Sequence, residues 1–241
     1  MHNNDIIYTD QTPEYSRILY SKGETKTAMK TAKDAKQVVA KRKQAERQRR
    51  IAQILDAAKA VFIAKGYDKA NLREIALEAE LTTGAIYVYF KGKGELYGSV
   101  LEKILDREIA YLKQASALKA SVPERLEALA LAHLKFDADF PAESKLLSKN
   151  FDELNLSKNQ RQRLDGKILK ALSFIADVLQ QGIQAGLFPA DLDKREASFL
   201  IYSASEGIAY TTSYGHLTEF DFNREALVKK IVAYLISGMA R

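Results

Sequence analysis

The sequence has no cysteine, no tryptophan and only 4 prolines in 241 residues. Without cysteine, the chain has no disulfide framework and no cysteine-based metal site or nucleophile, which agrees with a reducing cytoplasm. No apolar run approaches the roughly 20 residues that span a bilayer, and the N-terminus lacks the basic start and apolar stretch of a signal peptide. These absences predict a cytoplasmic protein with no membrane partner.

Catalytic sequence patterns are also missing. The three histidines, His2, His133 and His216, are widely spaced and form no metal-ligand pattern. The chain has no nucleophile elbow, phosphate-binding loop or dinucleotide-binding fingerprint. We therefore expect no enzyme activity, no metal and no cofactor.

Positive charge is concentrated at the start of the chain. Residues 1–50 hold 12 Lys/Arg and 6 Asp/Glu, whereas residues 51–241 hold 25 of each, so the net charge of +6 lies entirely in the first 50 residues. Such a segment can neutralise DNA phosphates or enter a minor groove, and the alternative is a solvated helix or a frayed tail. We interpret residues 1–44 as a basic N-terminal extension that is partly mobile or helical.

Residues 72–90 have the pattern of a helix-turn-helix. In the first helix, four apolar residues recur at helical spacing: Leu72, Ile75, Ala76 and Ala79. Asn71 and Thr82 precede the two helices as predicted N-caps, and Ile86 and Phe90 face inward. The outward residues of the second helix are Thr83, Gly84, Ala85, Tyr87, Val88 and Tyr89. A helix this slim can enter a DNA major groove, whereas the alternative is an ordinary helix hairpin with aromatic packing.

Residues 51–96 resemble the DNA-binding domain of the TetR family of repressors. The resemblance is carried by Ile54, Leu55, Asp56, Ala57, Ala58, Phe62, Lys65, Gly66, Tyr67, Ile75, Ala76, Ala79, Leu81, Thr82, Gly84, Ile86, Tyr87, Tyr89, Phe90, Lys93 and Leu96. It implies a DNA-binding domain at residues 45–95. The resemblance implies that a set of residues contacts DNA, to which we add the capping residue Thr82. The predicted DNA-binding residues are Arg73, Thr82, Thr83, Gly84, Ala85, Tyr87, Tyr89 and Lys93.

Two positions depart from the family pattern. Glu80 stands where the family usually has a glycine in the turn, and Gly94 replaces a more usual polar residue near the start of the fourth helix. A left-handed backbone costs a non-glycine residue on the order of 1 kcal/mol, so the sequence predicts a turn of altered shape.

The rest of the chain predicts helices almost throughout. Apolar residues recur at helical spacing, and Ser121 with Glu124 forms a capping-box pattern. A long helix from about Lys93 to Ala117 is expected to bridge the helix-turn-helix and the remainder. The predicted fold is all-α: an N-terminal three-helix helix-turn-helix domain, followed at residues 96–241 by a larger helical domain for effector binding and dimerisation.

The sequence of the last two helices suggests that they pack against a second subunit. The segment after Ala197 is uncharged and rich in small residues, and the terminal helix is apolar on two neighbouring faces, so it must be covered on most sides. Ordinary core helices are the alternative. The resemblance implies a two-fold dimer through these helices, and the predicted interface residues are Leu200, Ala204, Gly207, Ile208, Val228, Val232 and Ile236.

Aromatic residues and one histidine in the C-terminal helices suggest a mostly apolar pocket. The residues predicted to line it are His133, Phe136, Phe140, Phe151, Phe174, Tyr202, Glu206, Tyr210 and Tyr214. Taken singly, most of them are as well explained as plain core. We expect an apolar or amphipathic small-molecule effector of unknown identity.

These patterns together predict a transcriptional regulator. In this hypothesis, a homodimer binds a palindromic double-stranded DNA operator, and effector binding shifts the bridging helix and releases the DNA. The alternative is an architectural protein that coats DNA through the basic extension, with weak sequence specificity and no effector.

Overall fold

The computed structural model describes residues 16–213 and 223–240, and their side chains from Gln37 onward. His2, Tyr214 and His216 lie outside the described residues. The described part of the chain contains helices and turns, with no strand, which confirms the predicted all-α class. The helices are α1 Ser16–Lys69, α2 Leu72–Glu78, α3 Thr83–Tyr87, α4 Lys93–Ser116, α5 Val122–Asp139, α6 Pro141–Leu147, α7 Lys158–Gln184, α8 Lys194–Ser213 and α9 Arg224–Met239.

Contacts divide the chain into two compact units, residues 1–52 and 53–241. Helix α1 begins in the first unit and ends in the second. Its helical geometry is interrupted at Gly66, where φ is 75°, a left-handed conformation that glycine adopts without a steric penalty. None of the described helices is long and apolar enough to cross a membrane.

The helix-turn-helix packs on the end of α1. Ile75 of α2 and Ile86 of α3 are fully buried, as are Ile54 and Phe62 of α1. Both predicted caps are present, since the Asn71 side chain accepts a hydrogen bond from the Glu74 amide at 3.0 Å and Thr82 accepts one from the Ala85 amide at 3.2 Å. These caps fix the first turns of α2 and α3.

The turn between α2 and α3 keeps a left-handed residue despite the missing glycine. Glu80 adopts φ 54° and is exposed. The backbone therefore accepts strain on the order of 1 kcal/mol at this residue and does not change its course, contrary to the altered turn expected from the sequence.

The helices after α3 pack around a second core. Helix α4 packs on α5 and α7, and α5 also contacts α7, α8 and α9. The centre of this core includes Leu126, Ile175 and Ile201. The Ser121–Glu124 capping box is formed. Helix α6 ends at Leu147, and a separate 3-10 turn, Phe151–Glu153, follows it.

Two glycines let helix α4 pack closely against the start of α7 and the loop that precedes it. A Cβ at Gly98 would lie 2.6 Å from the Gln160 side chain, and one at Gly94 would overlap the Asn155 carbonyl oxygen. Gln160 is completely buried and donates to the Glu95 carbonyl oxygen at 2.7 Å. The two glycines therefore allow a contact that no larger residue fits, which gives the Gly94 departure a structural reason.

Candidate DNA-binding and effector sites

The recognition helix α3 presents a mixed apolar and polar surface to solvent. Tyr87 is 56% exposed and the neighbouring Val88 is 74% exposed. Arg73, Thr82 and Gly84 are also exposed, whereas Thr83, Ala85 and Tyr89 are half-buried. An uncovered aromatic residue on a helix of five residues is available for contact with bases and sugars.

Lys93 has a different set of partners from those expected. Its ammonium group donates to the carbonyl oxygens of Tyr67 at 2.9 Å and Ala70 at 3.0 Å, and lies 4.6 Å from the centre of the Tyr67 ring. In this arrangement Lys93 links the start of α4 to the end of α1, because the last carbonyl groups of a helix have no hydrogen-bond donor within it. A phosphate contact by Lys93 would have to share the ammonium group with these carbonyls.

An aromatic cluster joins α4 to the end of α1. The Tyr97 ring meets Phe62 at 4.8 Å and Tyr67 at 4.9 Å between centroids. Its hydroxyl donates to the Leu146 carbonyl oxygen of α6 at 2.8 Å. Burial raises the pKa of Tyr97 to about 12, so the hydroxyl stays a donor at neutral pH. The start of α4 is therefore packed against α1 and hydrogen-bonded to α6.

Ion pairs hold α4 to its neighbours along its length. Glu143 of α6, only 8% exposed, accepts from Lys59 of α1 at 2.8 Å and from Arg107 of α4 at 2.6 Å. Farther along the contact with α7, Arg163 pairs with Glu102 and Lys167 with Asp106. A shift of α4 would therefore change its ion pairs with α6 and α7, and through Glu143 the contact with α1.

A buried charge cluster links α4, α5 and α8. The His133 Nδ1 donates to Glu108 at 2.8 Å and its Nε2 donates to Glu206 at 2.6 Å. Burial alone would lower the pKa of His133, but the hydrogen bonds to the two carboxylates outweigh it and raise the pKa to about 10. The imidazole is therefore a cation at neutral pH, paired on both sides.

Tyr202 completes this cluster. Its ring lies 5.4 Å from the His133 ring, and burial, followed by the charges of Glu108 and Glu206, raises the pKa of its hydroxyl well above the usual value. Three of the predicted pocket residues, His133, Tyr202 and Glu206, are thus brought together, but as a packed polar contact.

The other predicted pocket residues are distributed elsewhere. The rings of Phe136 and Phe140 meet the Tyr111 ring edge-to-face, with centroids 5.8 and 6.1 Å apart. Phe151 lies 5.6 Å from the Arg161 guanidinium, Phe174 packs at the edge of the C-terminal core, and Tyr210 is 46% exposed. The sequence located aromatic side chains correctly in the C-terminal helices but did not indicate which of them share a cavity.

A groove of about 700 Å³ lies between α4, α5 and the start of α9. Its lining is mainly apolar, with two basic residues and one acidic: Tyr111, Gln114, Ala115, Leu118, Ala128, Leu131, Ala132, Leu134, Lys135, Ala138, Arg224 and Glu225. None of the predicted pocket residues belongs to this lining. The sequence signal that we missed is the row of alanines on α5, whose small side chains leave room between the helices.

The interface residues predicted on α9 face the core of their own chain, so this part of the predicted dimer surface is corrected. Val228 and Val232 are 0% and 1% exposed and belong to the core of their own chain, and Ile236, on the same face, packs against it. The neighbouring face, Leu227, Ile231 and Tyr234, is the one that borders a second groove of about 570 Å³. Both faces are apolar, so the spacing of apolar residues along α9 does not indicate which face points outward.

The predicted interface residues on α8 are exposed or half-buried, and their role in a dimer stays a prediction. Leu200 is 48% exposed and Gly207 is exposed, while Ala204 and Ile208 are half-buried. Ala204, Gly207 and Ile208 line the second groove together with the outer face of α9. Phe199 and Tyr234 add apolar side chains that are 58% and 70% exposed.

Among the described residues, no group of His, Asp or Glu side chains is arranged to hold a metal ion.

Comparison with known proteins accounts for both halves of this architecture. Residues 54–100 match the model of bacterial regulatory proteins of the tetR family, and residues 119–210 match the model of the tetracyclin repressor-like C-terminal domain. The chain belongs to the TetR family and is a DNA-binding transcriptional regulator.

Characterised relatives cover most of the chain. The fatty acid metabolism regulator protein of Bacillus subtilis is 27% identical over 188 residues, which are 78% of this chain and 94% of the relative. The probable acrEF/envCD operon repressor of Escherichia coli K12 is 27% identical, with 70% and 79% covered. The solved structure of the Bacillus subtilis regulator FadR with stearoyl-CoA superposes with a TM-score of 0.64 at 25% identity, covering 78% of this chain and 98% of that one.

Proposed function

We propose that this regulator is a homodimeric repressor in the cytoplasm, which is released from a palindromic operator by an amphipathic effector. The observation that carries the proposal is the uncovered surface of α3, centred on the 56% exposed Tyr87, in a chain of this family. One short recognition helix contacts few bases, so two copies about 34–36 Å apart are needed to specify a site.

The effector site that we propose is the groove between α4, α5 and α9. Its volume, about 700 Å³, suits a small molecule, and its lining combines an apolar majority with the exposed cation Lys135. Arg224 also borders the groove, where it pairs with Asp137 at 2.6 Å. This lining fits a ligand with an apolar chain and an anionic head. The Bacillus subtilis relative, whose structure contains stearoyl-CoA, supports a ligand of this kind.

Helix α4 supplies the proposed coupling. Tyr111 near its end lines the groove, while Lys93 and Tyr97 at its start contact the helices that carry α3. An effector that favours a shifted α4 disfavours the spacing of recognition helices required by the operator. A coupling free energy of about 1–3 kcal/mol, or about 5–150-fold in affinity, is typical of such a linkage.

The proposed dimer forms through the outer faces of α8 and α9. Tyr234→Glu places a charge on this face, and Leu169→Glu is a matched control because Leu169 of α7 is 61% exposed away from it. In sedimentation velocity, we expect Tyr234→Glu to shift the dimer towards monomer and the control to remain dimeric. A Tyr234→Glu protein that stays dimeric at micromolar concentration rules out this interface.

Operator binding is tested by selecting bound fragments from random DNA, followed by footprinting. We expect a short palindromic footprint, whereas continuous coverage independent of sequence would establish the DNA-coating alternative. On the selected site, Tyr87→Ala should weaken binding by about 5–150-fold, as the loss of a base contact does, with Leu169→Ala as the control. Equal affinities of Tyr87→Ala and the unmodified protein would refute the assignment of α3.

Effector binding is tested with stearoyl-CoA, with coenzyme A alone as the comparison. At a concentration of 100 times its Kd, a ligand of the native state raises the free energy of unfolding by about 2.7 kcal/mol. Ala128→Phe fills the groove and should abolish this gain, while Ala185→Phe, at an exposed position after α7, should retain it. Unimpaired binding by Ala128→Phe would place the effector elsewhere.

A further inference from the structure

The segment of α1 that precedes the family domain is long and strongly basic. Helix α1 begins at Ser16, and the match to the family model begins at residue 54. At a rise of about 1.5 Å per residue, the intervening 38 residues span about 57 Å. Residues 16–52, which we call the basic segment, contain 12 Lys/Arg and 3 Asp/Glu, for a net charge of +9.

The described side chains of this segment face solvent. Every residue from 37 to 49 is exposed, including Val38 and Val39 at 48% and 51%. The consecutive cations Lys41, Arg42 and Lys43 form no ion pair with another described side chain. A helix that is polar on all sides and rich in one charge has no apolar face with which to pack, and its like charges repel each other.

Such a helix is complementary to a polyanion. Duplex DNA carries one negative charge per about 1.7 Å of its length, and lysine or arginine that neutralises a phosphate releases a condensed counterion. In a protein that already binds an operator, the duplex beside the operator is a polyanion within reach of a segment that continues into the DNA-binding domain. Residues 53–241 have equal numbers of acidic and basic groups and residues 1–15 have a net charge of −3, so the basic segment dominates the long-range electrostatic attraction.

We propose that the basic segment binds the phosphates of the duplex flanking the operator and adds affinity that does not depend on the flanking sequence. This inference rests on the proposed operator binding. The total affinity for DNA then has two contributions. Helix α3 contributes the part that is specific to the operator core, and the basic segment contributes the electrostatic part.

The test compares two DNAs, the operator core alone and the same core with about 20 base pairs of unrelated sequence on each side. The full-length variant replaces Lys41, Arg42 and Lys43 with glutamine. A control replaces three exposed lysines elsewhere and has the same net charge: Lys113→Gln, Lys119→Gln and Lys158→Gln. Because all six positions are exposed and glutamine is a good helix former, both proteins should retain their helical content.

The unmodified protein is expected to bind the flanked DNA at least tenfold more tightly at low salt. If three phosphate contacts are involved, their contribution weakens by up to about 40-fold between about 50 and 200 mM salt, since each contact contributes about 0.9 to the logarithmic slope. A tenfold advantage should therefore disappear by about 200 mM salt. The Lys41/Arg42/Lys43 variant should lose most of the advantage yet keep its affinity for the core within about twofold, and the control should keep both.

Several outcomes would overturn the inference. Equal binding of the two DNAs by the unmodified protein would do so, as would equal losses in the variant and the control, since net charge would then explain them. Binding of the basic segment to anionic vesicles without any effect of flanking DNA would assign it to a membrane. A scrambled core bound as tightly as the operator would refute the proposed function itself, which keeps the two failures distinct.

Discussion

The charge cluster around His133 makes a pH-dependent contribution to stability that can be measured directly. His133→Gln keeps hydrogen-bonding groups at the position but removes the cation between Glu108 and Glu206. Glu108 is 1% exposed, so it would be left as a buried carboxylate without a counter-charge. Removing one partner of a buried ion pair costs about 3–5 kcal/mol.

The pKa of His133 gives a similar magnitude. A rise from the ordinary 6.5 to about 10 corresponds to about 5 kcal/mol, at 1.36 kcal/mol for each pKa unit. We therefore expect His133→Gln to lower the free energy of unfolding by about 3–5 kcal/mol near pH 6.5. The half-exposed Glu206, which water can solvate, favours the lower end of that range.

The sign of the pH dependence follows from the direction of the shift. Because the pKa of His133 is higher in the native state than in the unfolded chain, its stabilisation is complete below about pH 6.5 and is lost as the pH rises towards about 10. Between these values the native state holds one extra proton. The difference between the unmodified protein and His133→Gln should shrink by up to about 1.36 kcal/mol per pH unit.

Urea denaturation followed by circular dichroism at a fixed protein concentration measures this difference, since the chain has no tryptophan for fluorescence. Lys135→Gln is the control, because it removes a cation from an exposed position on the same helix and should cost no more than about 1 kcal/mol. A difference that stays constant from about pH 7 to 9.5 would show that His133 is not a buried cation.

Three further substitutions test other contacts. Glu80→Gly should raise the free energy of unfolding by up to about 1 kcal/mol in thermal denaturation by relieving the left-handed backbone, and no gain would contradict the strain. Tyr97→Phe should lower it by about 1–2 kcal/mol, because the buried Leu146 carbonyl oxygen loses its donor; an unchanged midpoint would count against that bond. Glu143→Gln should reduce the effector-induced change in operator affinity about fivefold, measured by fluorescence anisotropy, because it weakens the link between Lys59 and Arg107; an undiminished response would exclude α6 from the coupling.

The DNA-binding half was predictable because its signals are local. Caps at Asn71 and Thr82, the inward Ile75 and Ile86, and the interruption at Gly66 each depend on neighbours a few residues away. Even the exception at Glu80 was visible as a missing glycine. The structure then showed that the backbone kept its course and accepted the strain.

The C-terminal half was less predictable because its sites depend on contacts between distant helices. Two neighbouring faces of α9 are apolar, and the packing of α5 and α8 on α9 determines that Val228 and Val232 face inward while Tyr234 faces outward. In the same way, His133 joins Glu108 and Glu206 across 25 and 73 positions of the sequence. Helical spacing gives no information on such partners.

The glycine contact between α4 and α7 determines how α4 can move. At Gly98 the helices already touch, so α4 cannot be pressed closer to α7 at this level, and tilting about the contact remains as the low-cost motion. Gly98 lies about 20 Å along the helix from Tyr111 in the groove and about 7.5 Å from Lys93. If the proposed effector tilts α4 about this contact, a displacement of about 2 Å near Tyr111 becomes less than about 1 Å at Lys93. The same tilt displaces each part of the DNA-binding helices by an amount that grows with its distance from the contact.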